Sequence, residues 1–219
     1  FEFDYEVGYD NEGRILGLEI TLISNAGFSC DLSPPVMIRA MCNVDGSYWI
    51  PDVAIHAFMA KTNTQSNTAF RGFGGPQGAM SIESIIETIA SKLKRDPLDI
   101  RRINFYGTTE RNVTPYGQTI EDNILHELVD ELVETSDYHR RRKEINAFNA
   151  KSPILKRGLA ISPLKFGISF HVTFFNQAGA LVHIYQDGSI LVNHGGIEMG
   201  QGLNTKIAQI VAHELGVDL

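Results

Sequence analysis

The chain has 219 residues, 43% of them hydrophobic and 21% charged, and a formal charge of −7, a balance that supplies enough apolar side chains for a core. No stretch approaches the roughly 20 apolar residues that cross a bilayer, no basic leader opens the chain, and the acidic balance speaks against a nucleic-acid backbone as partner, so a cytoplasmic protein is expected. Two cysteines, Cys30 and Cys42, are too few for an iron-sulfur cluster and match no zinc spacing; reduced thiols are expected, with a disulfide between them left open.

The first residue is Phe1, and a strand at Phe3 to Val7 starts so abruptly that the chain is expected to begin in mid-domain. Asp10 to Gly13 turns it into a second strand, Ile15 to Ile23. Pro34 and Pro35 lead into a short helix containing Arg39, and Tyr48 to Met59 reads as extended. Ile82, Ile85, Ile86, Ile89 and Leu93 fall on one face of a strong helix whose stripe should be buried. Pro97 to Asn104 follows as a short helix that Asp96 can cap. Leu125, Leu128, Val129 and Leu132 mark another helix, and a charged one runs on to about residue 149, with Arg140 to Lys143 as a solvated face. From Arg157 the texture turns to strands at Leu159 to Ile168, Ala178 to Tyr185 and Ile190 to Asn193, and a last helix carries Leu203, Ile207, Ile210, Val211 and Leu215. Strands and helices in this order predict an α+β fold, two mixed subdomains joined by a helical segment.

Two glycine-rich runs sit at junctions that open helices: Arg71 to Gln77, and Gly195 to Gly202. Glycines let a backbone approach a ligand, and free amides at a helix start favour an anion. One such cluster is usually just a loop, and the Lys of a phosphate-binding P-loop is absent, which weakens a simple nucleotide-binding module. Two junctions together suit a large cofactor with a phosphate tail and a polar ring system, with Gln201 offering an amide. His56, His183 and His194 read as ordinary residues, and His213 with Glu214 is only half of a zinc-protease pattern.

The segments SNAG (Ser24 to Gly27), DLS (Asp31 to Ser33), KTN (Lys61 to Asn63), SNTAFRGFGGPQ (Ser66 to Gln77), KFGISF (Lys165 to Phe170), NQAGALVH (Asn176 to His183), DGS (Asp187 to Ser189) and EMGQG (Glu198 to Gly202) resemble, in this order, the molybdopterin domain of the xanthine dehydrogenase family. The resemblance weakens only through the helical segment. It implies residues 1–105 as the first part of a molybdopterin-binding domain, 106–156 as a helical bridge, and 157–219 as a truncated second part carrying the pterin loop. Position by position, it implies that the backbone of Arg71, with Gly72, lies beside a molybdenum ion, and that Gly200, Gln201 and Gly202 hold the pterin. Phe73 resembles the ring that stacks on a purine, Phe170 the second aromatic wall, and Arg39 the arginine that steadies charge developing on the substrate. Without the resemblance, Arg39 would read as a helix-surface ion-pair residue and Phe170 as core. One departure stands out: His171 occupies a position where the family usually has threonine, which alters the pocket wall or turns the side chain away.

The implied activity is hydroxylation of purines, hypoxanthine to xanthine to uric acid, at an electron-poor carbon, with the molybdenum-molybdopterin cofactor carrying the difficult step. The family's general base is a glutamate that no segment here matches, so no catalytic residue is expected within these 219 residues and the fragment alone is expected to be inactive. FAD and 2Fe-2S clusters are expected on other domains or subunits of a homo- or hetero-oligomer, with no nucleic acid or membrane as partner. An aldehyde oxidase-like enzyme is the alternative, disfavoured by Arg39 and Gly75, since aldehyde oxidases tend to lose the arginine and carry a bulkier residue at the glycine. A noncatalytic scaffold or assembly module is the third reading.

Overall fold

A computed structural model describes residues 1–167 and 169–219. They form two compact units, Phe1–Gly167 and Ile168–Leu219, each described here by itself. Helices and strands are mixed in the α+β manner that the order of elements predicts.

In the first unit, β1 (Glu2–Tyr9) pairs antiparallel with β2 (Ile15–Gly27). Their turn is pinned by Asp10, whose carboxylate accepts the amides of Glu12 and Arg14 at 2.9 Å each. From β2 the chain crosses through α1 (Ser33–Met41), with prolines in its first turn, and returns as β3 (Val53–Lys61), parallel to β2. The crossover sets α1 beside the sheet and brings the chain off β3 into the glycine-rich turn.

The core lies between β2 and α2 (Gly75–Leu93). Ile82, Ile85, Ile86 and Ile89 are each 0% exposed and cluster with Ile15, Leu18, Ile20 and Leu22. Burying each isoleucine contributes roughly 2 kcal/mol, so this stripe anchors the helix and with it the turn that precedes it. Asn104 at the end of α3 (Pro97–Asn104) is fully buried and fully used: its Oδ1 accepts the Ile15 amide at 2.8 Å, and its Nδ2 donates to the carbonyls of Gly13 and Ile100 at 2.9 Å.

Asp96 caps α3 as the sequence predicts, accepting the Leu98 amide at 2.9 Å, and also accepts the Tyr138 hydroxyl at 2.7 Å and the Arg142 Nε at 3.1 Å. Partial burial alone would push this carboxyl up, but the amide, hydroxyl and guanidinium outweigh it and hold it below the usual carboxylate range. A depressed folded-state pKa contributes stability above the unfolded value, about 3.9, and loses it as pH falls through the folded one. Asp96→Ala should therefore cost about 2 kcal/mol at neutral pH, from the lost cap and an unpaired Tyr138 hydroxyl. In denaturant unfolding, the gap from wild type should narrow under acid; a gap independent of pH would contradict this account.

α4 (Leu125–Thr135) and α5 (Tyr138–Lys151) follow, burying Val129 and Tyr138. On α5, Arg140 pairs with Asp137 and Glu144 at the surface, whereas Arg142 turns inward to Asp96.

Two extended readings need correction. The run from Tyr48 to Met59 is a strand only from Val53; Tyr48 makes an isolated bridge to Phe105 and is buried, and Pro51, which has no N–H to donate, separates it from β3. The strand expected over Leu159 to Ile168 does not form over residues 159–167, and Ile168 lies outside the described residues. Carbonyls there are taken by side chains instead of a neighbouring strand: Arg142 donates to Leu159 O at 3.3 Å, Ser47 to Pro163 O at 3.1 Å and Arg39 to Gly167 O at 2.6 Å.

The second unit holds an antiparallel hairpin, β4 (Ala180–Ile184) and β5 (Ile190–His194), whose turn is tightened by Asp187 accepting the Ser189 amide at 3.0 Å. α6 (Leu203–Leu215) closes the unit, and none of its residues is buried. No described helix is long and apolar enough to cross a membrane.

Candidate functional site

After β3, residues 66–70 run without regular structure into a turn at Arg71–Gly74 that opens directly into α2. Three successive residues of this turn are left-handed: Gly72 at φ 100°, Phe73 at 55° and Gly74 at 103°. A phenylalanine there is uphill by about 1–2 kcal/mol, and such strain concentrates at ligand-contacting turns. Phe73 is half-buried and its amide donates to the Phe70 carbonyl at 2.8 Å, while Arg71 is exposed. Gly74 is fixed by contact as well: a Cβ would stand 2.0 Å from the Val36 carbonyl oxygen and 3.0 Å from the Ala40 amide, so the turn rests on α1 beside Arg39.

Gly75 leaves room for an aromatic ring, since its Cβ would lie 2.6 Å from Phe166 Cε2. Arg39 Cζ stands 5.5 Å from the centroid of that ring, and Arg39 Nη1 donates to the Gly167 carbonyl at 2.6 Å. Arg39 is 8% exposed, not a surface ion-pair residue, and burial holds its pKa below the ordinary value; an arginine nonetheless stays charged. α1, the glycine turn and residues 165–167 thus meet around one buried guanidinium.

A cavity of about 360 Å³ lies against both ends of the glycine turn, lined by Ser24, Asn25, Ser33, Asn67, Thr68 and Gln77 among others. Ser24 Oγ and Gln77 Oε1 are buried without a hydrogen-bond partner among the described residues. Buried polar atoms in that state favour a polar occupant.

In the second unit, Asn176 brackets Phe170: its Oδ1 accepts the Phe170 amide at 2.7 Å and its Nδ2 donates to the Phe170 carbonyl at 2.9 Å. The Phe170 ring meets Phe175 edge-on at 5.8 Å and His171 at 6.5 Å between centroids. The Gly195 to Gly202 run forms a turn wrapped on its own Glu198. That carboxylate accepts the amides of Gly200 at 2.6 Å, Gly202 at 3.1 Å and Leu203 at 2.5 Å, at the start of α6. Although desolvation alone would raise it, these amides hold the Glu198 carboxyl below its usual range. Gln201 folds back on the same turn, accepting the Met199 amide at 2.6 Å and donating to the Ile197 carbonyl at 2.8 Å. The turn is therefore a nest of amides closed on the chain's own Glu198 carboxylate.

Phe166 and Asn176 are functional neighbours that sequence reasoning misses: both lie inside the quoted motifs, so their positions are visible and their contacts are not. Among the described residues no group of three or more His, Cys, Asp or Glu side chains is arranged to hold a metal ion.

Residues 1–105 and 131–219 each match a family model described as a molybdopterin cofactor-binding domain. The chain is 50% identical over 213 residues, 97% of its length, to xanthine dehydrogenase/oxidase of Gallus gallus, and covers 16% of that protein. It is 48% identical over 215 residues, 98% of its length, to xanthine dehydrogenase 1 of Arabidopsis thaliana, again covering 16%. Among solved structures, quinoline 2-oxidoreductase from Pseudomonas putida 86 shares the fold over 96% of this chain and 28% of its own, with TM-score 0.77 and 24% identity. The chain belongs to the molybdopterin cofactor-binding domain family, whose models together match most of it, and spans about one sixth of the length of the xanthine dehydrogenases it matches.

Proposed function

We propose that the chain supplies part of the substrate and cofactor pocket of an enzyme that hydroxylates purines, taking hypoxanthine to xanthine and xanthine to uric acid. The observation that carries this reading is the buried Arg39 guanidinium beside a turn that holds Phe73 in a left-handed conformation. A flat heterocycle with polar edges needs a stacking face and a fixed cation near the oxygen on which charge develops. Phe73 would stack on the ring, Phe170 would form a second wall with His171 beside it, and Arg39 would steady the charge. The Arg71 backbone and Gly72, and in the second unit Gly200, Gln201 and Gly202, would contact the molybdenum-molybdopterin cofactor. The polar cavity by Gln77, with the unpartnered Ser24 Oγ and Gln77 Oε1, suits a polar group of this kind. When bound, the cofactor supplies the oxygen transfer and accepts two electrons.

The remaining parts lie outside these residues in this reading: a glutamate base, a flavin and 2Fe-2S clusters, on other domains or subunits of a cytoplasmic oligomer. Residues 1–105 and 157–219 would be the two cofactor-facing parts and 106–156 the bridge; the first family model ends at residue 105, and the second begins at residue 131, inside that bridge. Gly75 favours a purine over an aldehyde as substrate, since a bulkier residue there would meet Phe166 and push it off Arg39.

The full-length parent should contain molybdenum and pterin and form uric acid from xanthine faster than it oxidises simple aldehydes. The 219-residue chain alone, given an electron acceptor, should form none. Aldehyde oxidation without urate, or urate from the isolated chain, would overturn the respective claim.

A further inference from the structure

Asp45 lies just beyond α1 and its side chain is only 2% exposed, yet it carries a charge partner from far along the chain: the ammonium of Lys165. The Tyr106 hydroxyl donates to the same Asp45 oxygen at 2.6 Å. Burial pushes the Asp45 carboxyl up, while Lys165 and Tyr106 pull it down. The ammonium also lies over two rings, 4.9 Å from the centroid of Tyr106 and 5.4 Å from that of Tyr116. None of these groups enters the reading of the site above.

What they hold is a short strap. Residues 163–167 form no strand, and the strap is gripped at four successive points: Ser47 Oγ on the Pro163 carbonyl at 3.1 Å, Asp45 on the Lys165 ammonium, Gly75 against the Phe166 ring, and Arg39 Nη1 on the Gly167 carbonyl at 2.6 Å. Phe166 and Gly167 both touch the guanidinium itself, since Arg39 Cζ lies over the Phe166 ring at 5.5 Å and its Nη1 donates to Gly167. The charged contact sits two residues upstream of the carbonyl that orients Arg39, too close for slack to be absorbed. A buried ion pair is a weak source of net stability but a strong source of register, because a slipped strap leaves the Asp45 charge buried and unpaired.

We infer that the Asp45–Lys165 pair is a positioning clasp, which fixes residues 165–167 so that Phe166 and Gly167 hold Arg39 in its working orientation for purine turnover. The inference rests on the charge-steadying role given to Arg39. It also extends substrate selection from the pocket wall to a lysine that touches neither substrate nor cofactor.

The test is a double-mutant cycle in the full-length, cofactor-loaded enzyme, with molybdenum content and melting temperature measured for every variant. Lys165→Met should lower kcat/KM for xanthine about tenfold to a hundredfold, the scale of a small misplacement of a catalytic group, and leave aldehyde oxidation within about threefold. Lys165→Arg should recover most of the loss. In an Arg39→Met background, Lys165→Met should add nothing. Should Lys165→Met fail to accumulate, Ser47→Ala, which releases only the Pro163 carbonyl, should show the same substrate selectivity at smaller amplitude. Equal losses on purine and aldehyde, or a full Lys165→Met effect in the Arg39→Met background, would overturn the clasp while leaving the role of Arg39 intact. An Arg39→Met enzyme with normal xanthine turnover would instead overturn the reading beneath it.

Discussion

Replacing Arg39 with methionine in the full-length enzyme is expected to lower kcat/KM for xanthine by about 10² to 10³, with aldehyde oxidation falling no more than a few fold. The first magnitude is that of removing one preorganised donor from a site where negative charge develops. Methionine is chosen because it is apolar and flexible, so it fills much of the space beside the Phe166 ring at an acceptable packing cost. An aldehyde oxygen places its charge elsewhere and should be indifferent to the cation. Lysine should not restore the activity, since a point charge on a flexible stem cannot reproduce a planar group held at once by the Gly167 carbonyl and the Phe166 face. Steady-state kinetics on both substrates decide the matter: equal losses on the two, or none on xanthine, would show that Arg39 does not read the substrate.

Gly74→Ala is expected to have the largest effect on folding, a loss of about 3–5 kcal/mol in the first unit together with loss of bound molybdenum. Two penalties add. The residue sits at φ 103°, and its new methyl would fall 2.0 Å from the Val36 carbonyl oxygen, backbone that cannot move without dragging α1. Gly188→Ala separates the two penalties. That glycine has φ 83° but open space around it, so alanine there should cost only about 1 kcal/mol. Melting curves and metal analysis of both variants test the argument. If Gly74→Ala were as mild as Gly188→Ala, the glycine turn would not rest on α1, and the link between Phe73 and Arg39 would be lost.

What the sequence discloses best is what depends on neighbours along the chain. The isoleucine stripe of α2, the Asp96 cap, the β1–β2 turn and the Asp187–Gly188 hairpin turn are all local patterns, and all form as expected. No strand forms over residues 159–167 because strand-like composition marks only an extended chain. It cannot say whether the carbonyls will meet another strand or, as here, side chains more than a hundred positions away, such as Ser47 on Pro163. The candidate site divides in the same way. The glycine runs announce themselves by composition, whereas the roles assigned to Arg39, Phe73 and Phe170 came from resemblance. The ring of Phe166 under Arg39 and the carboxylate of Glu198 in its own nest are products of folding that no spacing rule carries.

None of the described residues from 169 to 219 is buried, although this stretch contains a hairpin, a helix and the second glycine-rich turn. Ordering a residue costs about 1–2 kcal/mol in backbone freedom, and a segment that shelters no side chain of its own has little with which to offset it. What offset there is comes from hydrogen bonds made close along the chain by Asn176, Asp187, Glu198 and Gln201.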